Sequence, residues 1–300
     1  MCLLRAIGPR WFIVTAALAL AVLAGHAHPE QPLRVVTTSP DLKALAEAVG
    51  GSRVAVESLL APEHDPHVLE IKPGHLARAR AAALVIRVGL DHEPWFTRLR
   101  LPPTVRVLDA SRNVRLIQTE TPRLRIERAA HMHAYGNTHY WLDPQNAIAI
   151  TAAIQAAFSQ ASPADAAAFE TNRRAFVTTL EQKMATWNRA LMPLHGTRVV
   201  VVHDSWSYFA EAFGLTIVAA AEPTPGIPPS PPELAALLRH MRESRVRIVI
   251  ADPHADPGLV RRIAEGAGAR AVTLNPSGYD YLRLFDENVA QLVAATRASP

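Results

Sequence analysis

The sequence predicts an α/β protein of two lobes, each with a mainly parallel sheet flanked by helices, bridged by one long rigid helix. Three observations predict it. The 300 residues, 49% hydrophobic and 19% charged, have a globular composition and suit about two domains. Short apolar runs alternate with amphipathic segments, which is typical of parallel sheets covered by helices. A helical pattern without an internal glycine separates two such series and, at ~1.5 Å per residue, is roughly 45 Å long.

The N-terminus has the pattern of an export signal. Two arginines precede an apolar run of 14 residues, Trp11 to Ala24, and Gly25-His26-Ala27 then offers the small residues that a signal peptidase reads. A spanning helix needs roughly 20 apolar residues, so an uncleaved membrane anchor is the weaker alternative. We therefore expect residues 1–27 to be a cleaved signal peptide. The single cysteine, Cys2, leaves with it, so we expect a periplasmic protein with neither disulfide nor lipid anchor.

Residues 28–160 are predicted to form the N-terminal lobe. Ser39 and Pro40 mark the start of its first helix, because serine caps a helix and proline suits its first position. The stretch from Asp109 to Thr138 has weak periodicity and is expected to be an exposed excursion. The predicted strands are 33–38, 54–60, 84–88 and 105–108, and the predicted helices are 40–49, 73–83 and 144–160.

The linking helix is predicted within residues 161–195, from Ser162-Pro163 to about Leu194, and the C-terminal lobe over 196–300. The second lobe alternates strands and helices like the first, without an obvious sequence repeat. Its predicted strands are 198–202, 215–219, 246–251 and 269–274, and its predicted helices are 205–213, 233–243, 257–267 and 281–295. A proline-rich loop, 222–232, interrupts the series.

Histidines are the candidate functional residues, because several lie on turns at strand ends, where open α/β sheets bind ligands. Neutral imidazole is a common zinc ligand when a neighbouring acceptor holds its other nitrogen. His67, His139 and His203 are the candidates, at what we expect to be three different strand ends. The carboxylates expected to orient the first two rings are Asp65, Glu70 and Asp143. Spacing alone leaves a structural role open, since no local metal-binding signature is present.

The remaining histidines are interpreted more simply. Five of them stand alone in the sequence and are expected to be solvated or structural: His75, His92, His195, His240 and His254. His131 and His133 form a short pair in the excursion before His139. This pair either passes metal toward a site or belongs to the ordinary surface.

The same residues carry a resemblance to the periplasmic zinc and manganese solute-binding proteins of metal-importing ABC transporters. It covers essentially the whole mature chain, and its strength lies in the order and spacing of motifs that are weak individually. They are Val35-Val-Thr-Thr-Ser-Pro-Asp-Leu42, His64-Asp-Pro-His67, the segment 73–90, His139-Tyr-Trp-Leu-Asp-Pro144, His203-Asp-Ser-Trp-Ser-Tyr-Phe209 and the final helix from Tyr281.

The resemblance implies a metal in the cleft between the lobes, held by two ligands from each. His67 and His139 take the positions of the N-terminal pair, and His203 that of the third ligand. The family usually supplies an aspartate as the fourth, where this chain has Asn275. An amide oxygen is a weaker donor than a carboxylate, so Asn275, a water, Glu222 and His64 all remain candidates for the fourth position.

The function expected from this set is capture of Zn²⁺ for an ABC importer. Three imidazoles with a neutral fourth ligand suit zinc, whereas manganese prefers more carboxylate oxygen. Expected partners are the inner-membrane permease and a metal chaperone. The 31 basic residues are scattered, which argues against nucleic acid, and we expect a monomer that is not an enzyme. The alternatives are a zinc hydrolase with an open water position, a manganese receptor and a metal-chelate receptor.

Overall fold

The computed structural model describes residues 31–117, 137–222 and 226–297. Its first half contains one four-stranded sheet in the order β2-β1-β3-β4, with every neighbouring pair parallel. The strands are β1 (Leu33–Thr37), β2 (Val54–Ser58), β3 (Leu84–Arg87) and β4 (Arg106–Asp109). The helices are α1 (Pro40–Gly50), α2 (Pro73–Ala81) and α3 (Pro144–Ala161).

The second half repeats this topology in a sheet of order β6-β5-β7-β8, again parallel throughout. Its strands are β5 (Arg198–Val201), β6 (Thr216–Ala220), β7 (Ile248–Ala251) and β8 (Arg270–Thr273). Its helices are α5 (Ser207–Ala212), α6 (Pro231–Glu243), α7 (Pro257–Ala267) and α8 (Tyr281–Arg297). The predicted fold class is therefore confirmed, and the common strand order is a structural repeat that the sequence did not reveal.

The linking helix, α4, spans Ala166–Leu191. Short 3₁₀ turns, Pro163–Asp165 and Met192–Leu194, extend it at both ends. The helical segment therefore runs from Pro163 to Leu194, as predicted, and its last turn is 3₁₀ at Pro193, which has no backbone N–H to donate. α4 contacts α1 from the first half and α8 from the second, so it joins the two lobes along its length.

One large apolar core runs through both halves. It includes Phe158 and Phe169 at the contact of α3 with α4, and Phe209 and Phe285 beneath the second sheet. Two smaller clusters cover the other faces of the sheets. Shared burial of this kind resists separation of the halves, because prising them apart would return apolar surface to water.

Some predictions fall on residues outside the described part of the chain. The signal peptide, His131, His133 and most of the 109–138 excursion are among them. Among residues 31–117, 137–222 and 226–297, no helix combines the length and apolar character needed to cross a membrane.

Candidate metal site

The structure brings His67, His139 and His203 together. One ring nitrogen from each lies within 4.8 Å of those of the other two. The ring centroids are 5.7 Å apart for His67 and His139, 6.0 Å for His67 and His203, and 5.9 Å for His139 and His203. His139 and His203 are buried and His67 is half-buried. The fold thus brings three metal-binding side chains, separated by up to 136 positions in the sequence, around one point.

Two of the three histidines follow strands and the third does not. His67 lies in a 3₁₀ turn, Pro66–Val68, after β2, and His203 lies two residues beyond β5. His139 immediately precedes another 3₁₀ turn, Tyr140–Leu142, that leads into α3. The expectation of three strand ends is therefore met for two residues. The position of His139 is set instead by the 3₁₀ turn that precedes the helix α3.

Hydrogen bonds hold the Nδ1 side of each of these rings. Nδ1 of His67 is 3.0 Å from the backbone oxygen of His92, and Nδ1 of His139 is 3.1 Å from Oδ1 of Asn137. Nδ1 of His203 is 2.9 Å from Oε2 of Glu222. A carbonyl oxygen or a carboxylate accepts but cannot donate, so each neutral ring carries its proton on Nδ1. Nε2 is then the nitrogen with the lone pair that a metal requires, and all three rings share this tautomer.

Two of the three carboxylates expected to orient the rings, Asp65 and Asp143, have other partners. Asp65 accepts from the backbone N–H of His67 at 2.8 Å and so shapes the turn. Asp143 caps α3 through the N–H of Gln145 at 2.9 Å and pairs with Arg115. Asn137, two residues before His139, takes the orienting role that we had expected of Asp143. Its amide N–H donates to the backbone oxygen of Asp204 at 2.7 Å, which turns its oxygen toward His139.

The electrostatic surroundings of His203 favour its protonated form. Burial lowers the pKa of this imidazole, but the hydrogen bond to Glu222 and the charge of Asp252 outweigh burial, so the pKa is raised. Asp252 is itself fully buried and accepts hydrogen bonds from Ser205 and Trp206. Two carboxylates therefore offset positive charge here, which suits a divalent cation as well as a proton.

His139 and His203 line a small cavity, and the ring of His67 lies beside both. The cavity has a volume of about 30 Å³, and residues of both halves line it, among them Asp41, His64, Trp141 and Ser277. Sites for organic ligands usually measure about 300–1,000 Å³. The cavity therefore has room for an ion with a water molecule or two, and none for a metal chelate or an organic solute in this conformation.

Two histidines interpreted as isolated are not isolated. His92 is fully buried, and its ring centroid lies 4.6 Å from that of His67 and 5.1 Å from that of His139. His254 lies 6.0 Å from His203 by ring centroids, with Nε2 3.8 Å from Asp252. Both line the cavity. The signal that sequence reasoning missed was topological, since His92 follows β3 and His254 follows β7 at the carboxyl ends of central strands.

The candidates for a fourth ligand are placed differently. Asn275 is exposed, its backbone N–H and oxygen bond the side-chain amide of Asn288, and it is not among the described residues that line the cavity. Glu222 is engaged with His203 and with the N–H of Gly226. His64 lines the cavity but is largely exposed. This geometry does not favour Asn275, whose role as a ligand stays a prediction.

Contacts between the halves close the cavity around the rings. Trp141 packs against His92 and His139 with centroid distances of 5.1 and 5.2 Å, and its Nε1 donates to the oxygen of Pro276 at 2.9 Å. Asp41 accepts hydrogen bonds from Ser277 and Gly278. The loop after β8 is thereby tied to the first lobe beside the site.

Comparisons with known proteins agree with this architecture. Residues 35–295 match the model of the family described as zinc-uptake complex component A, periplasmic. The chain belongs to this family. It is 27% identical over 287 residues to the high-affinity zinc uptake system protein ZnuA of Yersinia pestis, covering 88% of this chain and 89% of that protein. It is 29% identical over 305 residues to ZnuA of Paracoccus denitrificans, covering 91% of each chain.

The fold of the family is also that of solved structures. The structure of FpvC from Pseudomonas aeruginosa in complex with Mn²⁺ superposes with a TM-score of 0.77 at 22% identity, covering 90% of this chain and 100% of FpvC. At this identity the likeness concerns the fold alone. The family is a periplasmic one whose members named above are zinc-uptake components, not enzymes.

Proposed function

We propose that this protein is a periplasmic receptor that binds Zn²⁺ between its lobes and delivers it to an ABC importer in the inner membrane. The observation that carries the proposal is that one ring nitrogen from each of His67, His139 and His203 lies within 4.8 Å of the other two, beside a small cavity. In each ring Nδ1 is already bonded to an acceptor. The rings are therefore pre-oriented, and binding requires little further ordering of side chains.

Zinc is the proposed cargo, ahead of manganese. Three imidazole nitrogens form a borderline-soft donor set that suits zinc, whereas Mn²⁺ prefers carboxylate, carbonyl and water oxygens. The nearest carboxylates serve other partners, since Asp41, Asp65 and Glu222 each accept hydrogen bonds from protein groups. The names of the two zinc-uptake relatives support the same cargo.

Export and delivery complete the proposal. Residues 1–27 act as a cleaved signal peptide, and the mature protein is a monomer without a lipid anchor. Its lobes are residues 28–160 and 196–300, joined by 161–195. The permease is its obligatory partner, and a chaperone that exchanges zinc with it is a second. In this proposal, His131 and His133 bind the metal transiently and pass it on toward His139.

Metal titration of the mature protein tests the proposal. Chelator-stripped protein, titrated in competition with a chromogenic chelator, should bind one Zn²⁺ per chain and bind Mn²⁺ more weakly. Single substitutions His67→Ala, His139→Ala and His203→Ala should each weaken zinc binding by roughly 100-fold or more, because each removes a ligand. His240→Ala on α6, away from the cavity, is the matched control. Unaltered affinity in all three variants would refute the proposal.

The enzyme alternative is tested on the same samples. A catalytic zinc keeps an open position for water beside three protein ligands. We expect no turnover of ester or peptide substrates by the zinc-loaded protein. Zinc-dependent turnover that disappears in His203→Ala would instead favour the hydrolase.

A further inference from the structure

The ring of His139 is oriented by a side chain that bonds the other lobe. Oδ1 of Asn137 accepts from two groups of His139, the backbone N–H at 2.9 Å and the ring Nδ1 at 3.1 Å. The amide nitrogen of Asn137 donates in the other direction, to the backbone oxygen of Asp204 at 2.7 Å and to its carboxylate at 3.3 Å. Asp204 belongs to the second lobe and directly follows His203. One side chain thus connects the segments that carry a metal-binding histidine from each lobe.

The direction of the Asn137 amide is determined from both sides. A backbone oxygen only accepts a hydrogen bond, and a backbone N–H only donates one. If the amide were turned over, its oxygen would face the oxygen of Asp204 and its NH2 group would face the backbone N–H of His139. Neither contact is a hydrogen bond, so the amide oxygen points toward His139. The ring of His139 then carries its proton on Nδ1 and keeps the lone pair of Nε2 for a metal.

The second lobe also holds the backbone of Asn137. The hydroxyl group of Tyr208, on α5, donates to the backbone oxygen of Asn137 at 3.0 Å. It also accepts from the backbone N–H of Ile117 at 3.0 Å, so it bonds two segments of the first lobe. Tyr208 is fully buried, and breaking a buried hydrogen bond leaves its groups without the water that would replace it. The segment that carries His139 therefore depends on two residues of the second lobe, Asp204 and Tyr208.

We propose that the second lobe positions His139 for zinc through Asn137, so that the metal site is complete only while the two lobes are docked. The proposal rests on the proposed function, in which His139 is a zinc ligand. His67 and His203 differ, because the group that accepts from Nδ1 of each lies in the same lobe as the ring. Asn137 is thus a positioning residue for one ligand. A small movement between the lobes would act on His139 before it acts on the other two rings.

The tautomer of His139 in the zinc-free mature protein tests the proposal. Long-range ¹H–¹⁵N correlation spectra at about pH 8.5 show which ring nitrogen carries the proton, and His139→Ala assigns the signals. We expect the proton on Nδ1 in the wild-type protein. In Asn137→Ala it should move largely to Nε2, as in free histidine in water, with zinc binding weakened 10- to 100-fold. Tyr208→Phe should shift the tautomer in part and weaken binding about fivefold, the effect of one neutral hydrogen bond.

Two matched controls make the same changes at other sites. Asn188→Ala removes an amide that donates to the backbone oxygen of Met184 on α4. Tyr281→Phe removes a buried hydroxyl group that donates to the backbone oxygen of Trp141. Both variants should keep the wild-type tautomer of His139, because neither contacts Asn137 through the group removed.

The outcomes separate this proposal from the proposed function. A proton on Nε2 of His139 in the wild-type protein, or a wild-type tautomer in Asn137→Ala, would overturn the positioning role. Wild-type behaviour of Tyr208→Phe in both measurements would overturn the dependence on the second lobe. If Asn137→Ala does not fold, the wild-type tautomer and Tyr208→Phe still decide. The tautomer is measured without metal, so wild-type protein that binds no zinc would overturn the receptor, and the spectra would still report on Asn137.

Discussion

Asp41 should make the stability of the protein fall as the pH rises from 5 to 7. Its carboxyl group is fully buried at the start of α1, and burial raises its pKa to about 7, against the hydrogen bonds from Ser277 and Gly278 that lower it. Between its ordinary pKa of 3.8 and about 7, the folded state retains a proton that the unfolded state has lost. Folding is then opposed by about 1.4 kcal/mol per pH unit, which amounts to about 2 kcal/mol between pH 5 and pH 7 because the folded-state carboxyl group is half titrated at pH 7.

The substitution Asp41→Asn removes the titration; its amide oxygen can accept from the N–H of Gly278, and its NH2 can donate to the hydroxyl of Ser277. Urea unfolding of chelator-treated protein at pH 5, 6 and 7 gives the free energy of unfolding of both proteins. Relative to wild type, Asp41→Asn should gain about 2 kcal/mol of stability between pH 5 and pH 7. Glu181→Gln, at an exposed position of α4, controls for the loss of one negative charge. Parallel pH curves would refute the reasoning, and a relative loss of stability would mean that the hydrogen bonds outweigh burial.

Three further predictions concern the site, the core and the motion of the lobes. Glu222→Gln should weaken zinc binding about 10- to 100-fold, because it weakens the hold on Nδ1 of His203; equal affinity in a chelator competition would contradict this. Phe285→Ala should lower the free energy of unfolding by about 3–5 kcal/mol, since this fully buried ring stacks on Trp187 with centroids 5.0 Å apart; a loss under about 1 kcal/mol in urea unfolding would count against the packing described. X-ray scattering should give nearly the same radius of gyration with and without zinc, because α4 has no glycine or proline hinge; a large decrease on loading would argue for hinged closure.

The sequence predicted the alternation of strands and helices well, because each buried strand and each helix start carries a local signal. Ser39 and Asp143 accept hydrogen bonds from backbone N–H groups of α1 and α3, as residues before proline at a helix start often do. Strand order could not be read from such signals, since it depends on contacts between distant segments.

The candidate site was predicted in part. The positions of His67, His139 and His203 followed from the resemblance, and the structure brings them together. The groups that orient the rings differ from the carboxylates that were expected, because two of the observed groups are distant in sequence from the histidines that they hold. The backbone oxygen of His92 is 25 residues from His67, and Glu222 is 19 residues from His203. His92 itself was dismissed because nothing in its sequence neighbourhood reveals that β3 lies beside β1 in the sheet.

Anomalous diffraction at the zinc edge, from crystals of the loaded mature protein, tests the central claim most directly. The account predicts one strong anomalous peak per chain, in the cavity between the lobes, with Nε2 of His67, His139 and His203 each about 2.0–2.1 Å from it. A peak elsewhere on the protein, or a cavity peak to which these nitrogens do not extend, would contradict the claim that the three imidazoles bind one ion.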